Sequence, residues 1–173
     1  MSGRKQKKTL LDGVLELSAI VQESDRASLL VAAEVINDDL EKILRAKFTV
    51  EGLNDDLQDR LFGSFTAPLY SFAMRTIMCR AFGVLPHDLC DILDKLRDMR
   101  NHCAHHTGVV TLKDEKLQSG IRTLQEYYKR VRKIKRTPNP RRAIDRGIFE
   151  LSVELADHRN AIAKKKRSRR SFI

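Results

Sequence analysis

Apolar residues recur every three or four positions along nearly the whole chain, and nowhere do they alternate convincingly as a half-buried strand would require. The plainest case is Leu117, Ile121, Leu124, Tyr128 and Val131, with its 4-3-4-3 spacing. A chain patterned this way must bury helix faces against one another, which predicts an all-α bundle of five to six helices. The spacing predicts a first helix over Thr9–Gln22, carrying Leu10, Leu11, Val14, Leu15 and Leu17. A second runs from a Ser24 cap to about Phe48, with Leu29, Ala33, Ile36, Leu40, Ile43 and Leu44 as its stripe. Asp55–Leu61 reads as a helical turn broken by Gly63 and Ser64. Pro68 is placed to open a third helix, apolar nearly all round from Leu69 to Ala81, stopped by Gly83 and expected to be central. Pro86 opens the fourth, Gly108–Leu112 is a β-prone loop, and Asp114 begins the fifth. Thr137-Pro138-Asn139-Pro140 ends the fifth, because proline disfavours helix at itself and before itself; Pro140 then opens the last, with Ile144, Ile148, Leu151, Leu155 and Ile162 on one face.

The 173 residues suit one domain, expected over 9–163, with a basic arm at 1–8 and a basic tail without regular structure at 164–173. No run of 18 apolar residues is present, so no membrane span is expected. The first residues, Met1-Ser2-Gly3-Arg4-Lys5-Gln6-Lys7-Lys8, are not followed by the uninterrupted apolar core of a signal peptide. Cys79, Cys90 and Cys103 all lie in apolar helical settings, which reads as reduced, buried thiols and a cytoplasmic protein. The net charge of +10 is uneven. The arm and the tail (Lys164, Lys165, Lys166, Arg167, Arg169 and Arg170) carry much of it. A second block, Lys129, Arg130, Arg132, Lys133, Lys135, Arg136, Arg141 and Arg142, contains no acid. The tail, with Lys133, Lys135 and Arg136, is the natural place for contacts to a polyanion, RNA or DNA. The competing reading is a solvated tail with no specific partner.

The chemistry-bearing stretch is Leu96-Arg97-Asp98-Met99-Arg100-Asn101-His102-Cys103-Ala104-His105-His106. Upstream and through it, Leu89, Ile92, Leu93, Leu96, Met99 and Cys103 form one apolar stripe. Arg100 falls inside that stripe, one turn after Leu96. A guanidinium keeps its proton, so an inward position demands an anion, a carboxylate or a partner subunit. A second copy of the chain satisfies it most easily, and a homodimer is expected. Arg100-Asn101-His102-Cys103-Ala104-His105 resembles the Arg-x4-His motif of HEPN domains, helical bundles that often pair two such motifs in one cleft. In the nuclease members the resemblance implies Arg100 as phosphate clamp, His105 as general acid/base and Asn101 as orienter, without a metal. A forked guanidinium on phosphate and an imidazole titrating near neutrality fit that chemistry.

A second resemblance spans about residues 24 to 106. Asp25-Arg26-Ala27-Ser28-Leu29-Leu30-Val31-Ala32-Ala33-Glu34-Val35-Ile36-Asn37-Asp38-Asp39-Leu40 with Leu44, then Leu61-Phe62-Gly63, then Ser71-Phe72-Ala73 to Phe82-Gly83, then the Leu96–His105 stretch, are similar to successive blocks of the mannitol operon repressor family. It implies an all-helical regulator. No helix-turn-helix signature accompanies it, so regulation through a protein partner stands beside nucleic-acid contact.

Each residue also has a plainer reading. Arg100 can pair with Glu34, Asp38 or Asp39, while Asn101 caps a turn. His105 can be an exposed histidine past the helix end, and His102, off the stripe, is expected to be solvated. Asp25 suits the helix dipole, while Arg26 is placed to face a cleft and add a second phosphate contact. His102, Cys103, His105 and His106 lack the two-pair spacing of a structural zinc site, so no metal or other cofactor is expected. Three functions follow: a mannitol-repressor-type regulator contacting nucleic acid or another regulator, a metal-independent endoribonuclease using Arg100 and His105, and a non-catalytic adaptor.

Overall fold

The computed structural model describes residues 25–170, with side chains to Lys164. The predicted helix over Thr9–Gln22, the Ser24 cap and the basic arm lie outside the described residues, as do the side chains of Lys165, Lys166, Arg167, Arg169 and Arg170. Six helices and no strand occur among the described residues: α1 Asp25–Val50, α2 Asp55–Phe62, α3 Phe72–Ala81, α4 His87–His105, α5 Glu115–Arg132 and α6 Pro140–Arg170. The all-α expectation holds. The last helix runs on to Arg170, past the point at Ala163 where the apolar repeat stops. Lysine and arginine are good helix formers, so a basic run can continue a helix without an apolar face.

Local chemistry sets the boundaries. Asn54 caps α2 by accepting from the Leu57 amide at 2.9 Å, and Ser71 caps α3 by accepting from the Met74 amide at 3.2 Å. The cap is therefore Ser71, and Pro68 lies before it instead of in the first turn. Gly83, with φ of +58°, follows the end of α3, where a left-handed residue releases the chain. At α6, Asn139 accepts from the Arg142 amide at 3.0 Å and Pro140 takes the first helical position, where its missing N–H costs nothing.

The described residues form two compact units. One comprises 25–34 and Met99–Phe149. Its core is Leu29, Ala32, Ala33, Met99, Cys103, Leu117, Ile121, Leu124, Tyr127, Tyr128, Ile144 and Ile148. Two glycines allow close approach there. Any Cβ on Gly120 would overlap the thioether of Met99, and any Cβ on Gly147 would overlap the Leu124 side chain.

The other unit comprises Val35–Asp98 and 150–170. Ile36, Leu40, Ile43, Leu44, Phe48, Phe62, Leu89, Leu93, Leu96, Leu151 and Leu155 are buried in it. Phe48 packs against Phe62 and edge-on against Phe82, with centroids 5.9 and 5.7 Å apart. Here α3 departs from the sequence expectation of a central, all-apolar helix. It buries Arg75, Thr76 and Cys79 and leaves Met74 and Ile77 exposed. The physical reason is that acceptors surround Arg75. It is 3% exposed, and its guanidinium donates to the Leu69 carbonyl at 2.7 Å, to the Asn37 carbonyl at 3.0 Å and to the Glu41 carboxylate. With every fork of the group engaged, the arginine turns inward and the apolar side of the helix turns outward.

Candidate functional site

The end of α4 carries the motif, and its surroundings belong to the first unit. Arg100 meets the Glu34 carboxylate at 3.1 Å and the Asn101 side-chain oxygen at 3.5 Å. Glu34 is one of the three acids the sequence offered. The Arg100 side chain is 36% exposed and that of Glu34 56%, so the pair stands at the surface and the stripe position did not bury it. Because Glu34 of the same chain meets Arg100, the guanidinium no longer calls for a second copy.

The structure does not bring Arg100 and His105 together. Helix α4 is unbroken through both, and the His106 amide continues its ladder by donating to the His102 carbonyl at 3.1 Å. Five helical steps set two side chains about 140° apart. The His105 side chain is exposed and has no hydrogen-bond partner among the described residues. His102, expected to be solvated, is instead mostly enclosed: it lies 3.8 Å from the Asp114 carboxylate, and its ring tilts against His106 at 5.2 Å. Asp114 also accepts from the Thr111 amide and hydroxyl, both at 3.3 Å, which ties the loop before α5 to its own cap residue.

Sequence reasoning undervalued Asp25 and Arg26. The Asp25 carboxylate accepts from the Leu112 amide at 2.9 Å and from Arg141 at 3.1 Å, joining three distant stretches of chain. Arg26 donates to the Ala104 carbonyl at 3.2 Å, so it closes the end of α4 instead of reaching toward a phosphate. The only available signal was their place in the first turn of a helix, which does not identify such remote partners.

No thiol is poised for nucleophilic chemistry. Cys79, Cys90 and Cys103 are free and buried. Burial, with Cys90 adding to it, pushes the Cys79 thiol up to about 12. Burial also raises Cys103, against the opposing pull of Arg26. Among the described residues, no group of three His, Cys, Asp or Glu side chains is placed to hold a metal ion. No helix among them is long and apolar enough to cross a membrane.

Two surfaces remain. In the second unit, Met74, Ile77 and Ala81 lie at helical spacing along the outer side of α3, with Tyr70 just before its Ser71 cap, and all four are exposed, Ile77 to 52%. In the first unit, the end of α5 and the segment after it expose Lys129, Arg130, Arg132, Lys133, Lys135 and Arg136. Arg141, part of the same sequence block, is occupied by Asp25.

No protein-family model and no curated protein matches this chain. Among solved structures, it is similar to a chain in the X-ray structure of the MtlR-HPr complex from Escherichia coli. The two share 13% identity with a TM-score of 0.64, over 84% of this chain and 97% of that one. At that identity the likeness establishes the fold, a helical bundle like that of the mannitol repressor. The HEPN-like motif gains no support from it.

Proposed function

We propose that this chain is a regulator of the mannitol-repressor type that works by binding another protein. The observation that carries the reading is the fold likeness, which extends over 97% of a chain crystallised within a complex of MtlR with HPr. The exposed stripe of α3 supports it. Three exposed apolar residues on one helix face, with Tyr70 just ahead of its cap, are unusual on a surface with no partner, and Met and Tyr are side chains that protein interfaces favour. The sequence around them, 35–98, holds eleven Asp and Glu against eight Lys and Arg. This composition suits a partner whose apolar contact face is rimmed by basic groups.

Calorimetric titration of HPr into the full-length protein tests the reading. The expected result is a one-to-one complex, weakened at least about tenfold in Ile77→Asp, since an unpaired carboxylate forced against an apolar contact face costs more than about 1.4 kcal/mol. Thermal melting of the variant is expected to match the parent, because Ile77 is exposed. Absence of binding across low and moderate salt would remove HPr as the partner.

A further inference from the structure

The basic crest of the first unit is not explained by the fold or by a protein partner on α3. Six of the eight residues from 129 to 136 are Lys or Arg, and all six are exposed. Lys129, Arg130 and Arg132 lie in the last turn of α5, where cations suit the negative end of the helix dipole. That account stops at Arg132. Lys133 sits in the left-handed cap with φ of 59°, a position that glycine or asparagine fills more comfortably. Beyond it, Lys135 and Arg136 lie outside any helix, and among the described residues Glu126 pairs with Arg136 alone. Arg142 and Arg146 add two exposed cations one turn apart at the start of α6, in the same unit. Across 99–149 there are thirteen Lys and Arg against four Asp and Glu. Self-repulsion of this size costs stability, and five of the exposed cations (Lys129, Lys133, Lys135, Arg142 and Arg146) have no ion-pair partner among the described residues.

We infer that this crest is a binding surface for the phosphate backbone of a nucleic acid, read without regard to base sequence. Three features favour it over other anionic partners. Lysine is depleted at protein interfaces and aromatic anchors are enriched, yet the crest is lysine-rich and Val131 is the one exposed large apolar side chain within 129–136. A single valine also offers little to insert into a lipid surface. Tyr127 and Tyr128, the aromatic residues nearest in sequence to 129–136, are buried and packed edge-on against each other, so neither ring is free to stack on a base. What remains is a dense row of exposed cations, which suits contact with phosphates and carries no base code. This surface is independent of the α3 face, and its failure leaves the protein-binding reading untouched.

The test is a salt titration of the full chain against two unrelated 20-base-pair duplexes and a duplex RNA, followed by fluorescence anisotropy. Comparable binding to all three is expected. About five phosphate contacts give a slope near −4.5 in log K against log salt, a loss of about 500-fold between 50 and 200 mM. The triple variant K129Q/K133Q/K135Q changes only exposed, unpaired side chains, and its melting curve checks the fold. Its slope is expected to shrink by about 3. A variant with the parental affinity and slope would overturn the assignment and move any binding to other basic segments. Preferential capture of poly-glutamate, or of vesicles containing phosphatidylserine, over the duplexes at equal salt would overturn it in favour of an acidic protein or a lipid surface.

Discussion

Two arginines in two regions behave oppositely. Arg75 drew no attention as a sequence feature, yet it is enclosed in its unit with three acceptors from Asn37, Glu41 and Leu69. Arg100 stands at the head of a catalytic-looking motif, yet it is about a third exposed and meets a carboxylate that is itself more than half exposed. Position in an apolar stripe does not decide which guanidinium goes inside. The number of acceptors that the rest of the chain brings to it does.

The comparison breaks most readily at Arg75. Replacing it with Met removes the donor from two carbonyls and from Glu41. Losing one partner of a buried pair costs about 3 to 5 kcal/mol, and the lower end applies because Glu41 keeps Arg45 at 2.8 Å. Urea denaturation of Arg75→Met should show a loss of about 3 kcal/mol, and a parental midpoint would mean that the enclosure of Arg75 contributes nothing. Asp25 comes next. Asp25→Ala strands the Leu112 amide and leaves Arg141 with Asp145 at 3.6 Å, an expected loss of about 1 to 3 kcal/mol by the same measurement. Arg100→Ala is the smallest, under about 1 kcal/mol, as surface pairs usually are. A larger loss, or a change in sedimentation on removing Arg100, would make the motif a structural or subunit-contact element after all.

Much of the helical pattern was legible because its signals are local. Gly83 and Pro140 act within one turn of where they stand, and the structure uses each at a helix end, whereas Pro68 suggests a start for α3 that lies instead at the Ser71 cap. The orientation of α3 was not legible. A count of its apolar residues predicts burial all round, whereas its true inner face depends on acceptors 34 and 38 residues away in sequence. For the motif, the separation of Arg100 and His105 followed from helical geometry alone, while the pairing with Glu34 was one of three possibilities that spacing does not rank. The enclosure of His102 was missed for a similar reason, since Asp114 reaches it from the loop after the helix. The basic crest was visible as composition, but only the structure separates Arg141, already engaged by Asp25, from Lys129, Lys133, Lys135 and Arg142, which have no ion-pair partner among the described residues.

The seat of Met99 against Gly120 has a consequence in redox chemistry. Oxidation of a thioether adds an oxygen to sulfur and makes an apolar side chain polar. At Met99 the space beside the sulfur is so close to the Gly120 backbone that not even a methyl group fits on that glycine. Met99 is almost wholly buried, so the folded protein shields its sulfur from oxidants. A sulfoxide at Met99 therefore marks a molecule that opened before it was oxidised, and the added oxygen hinders it from closing again.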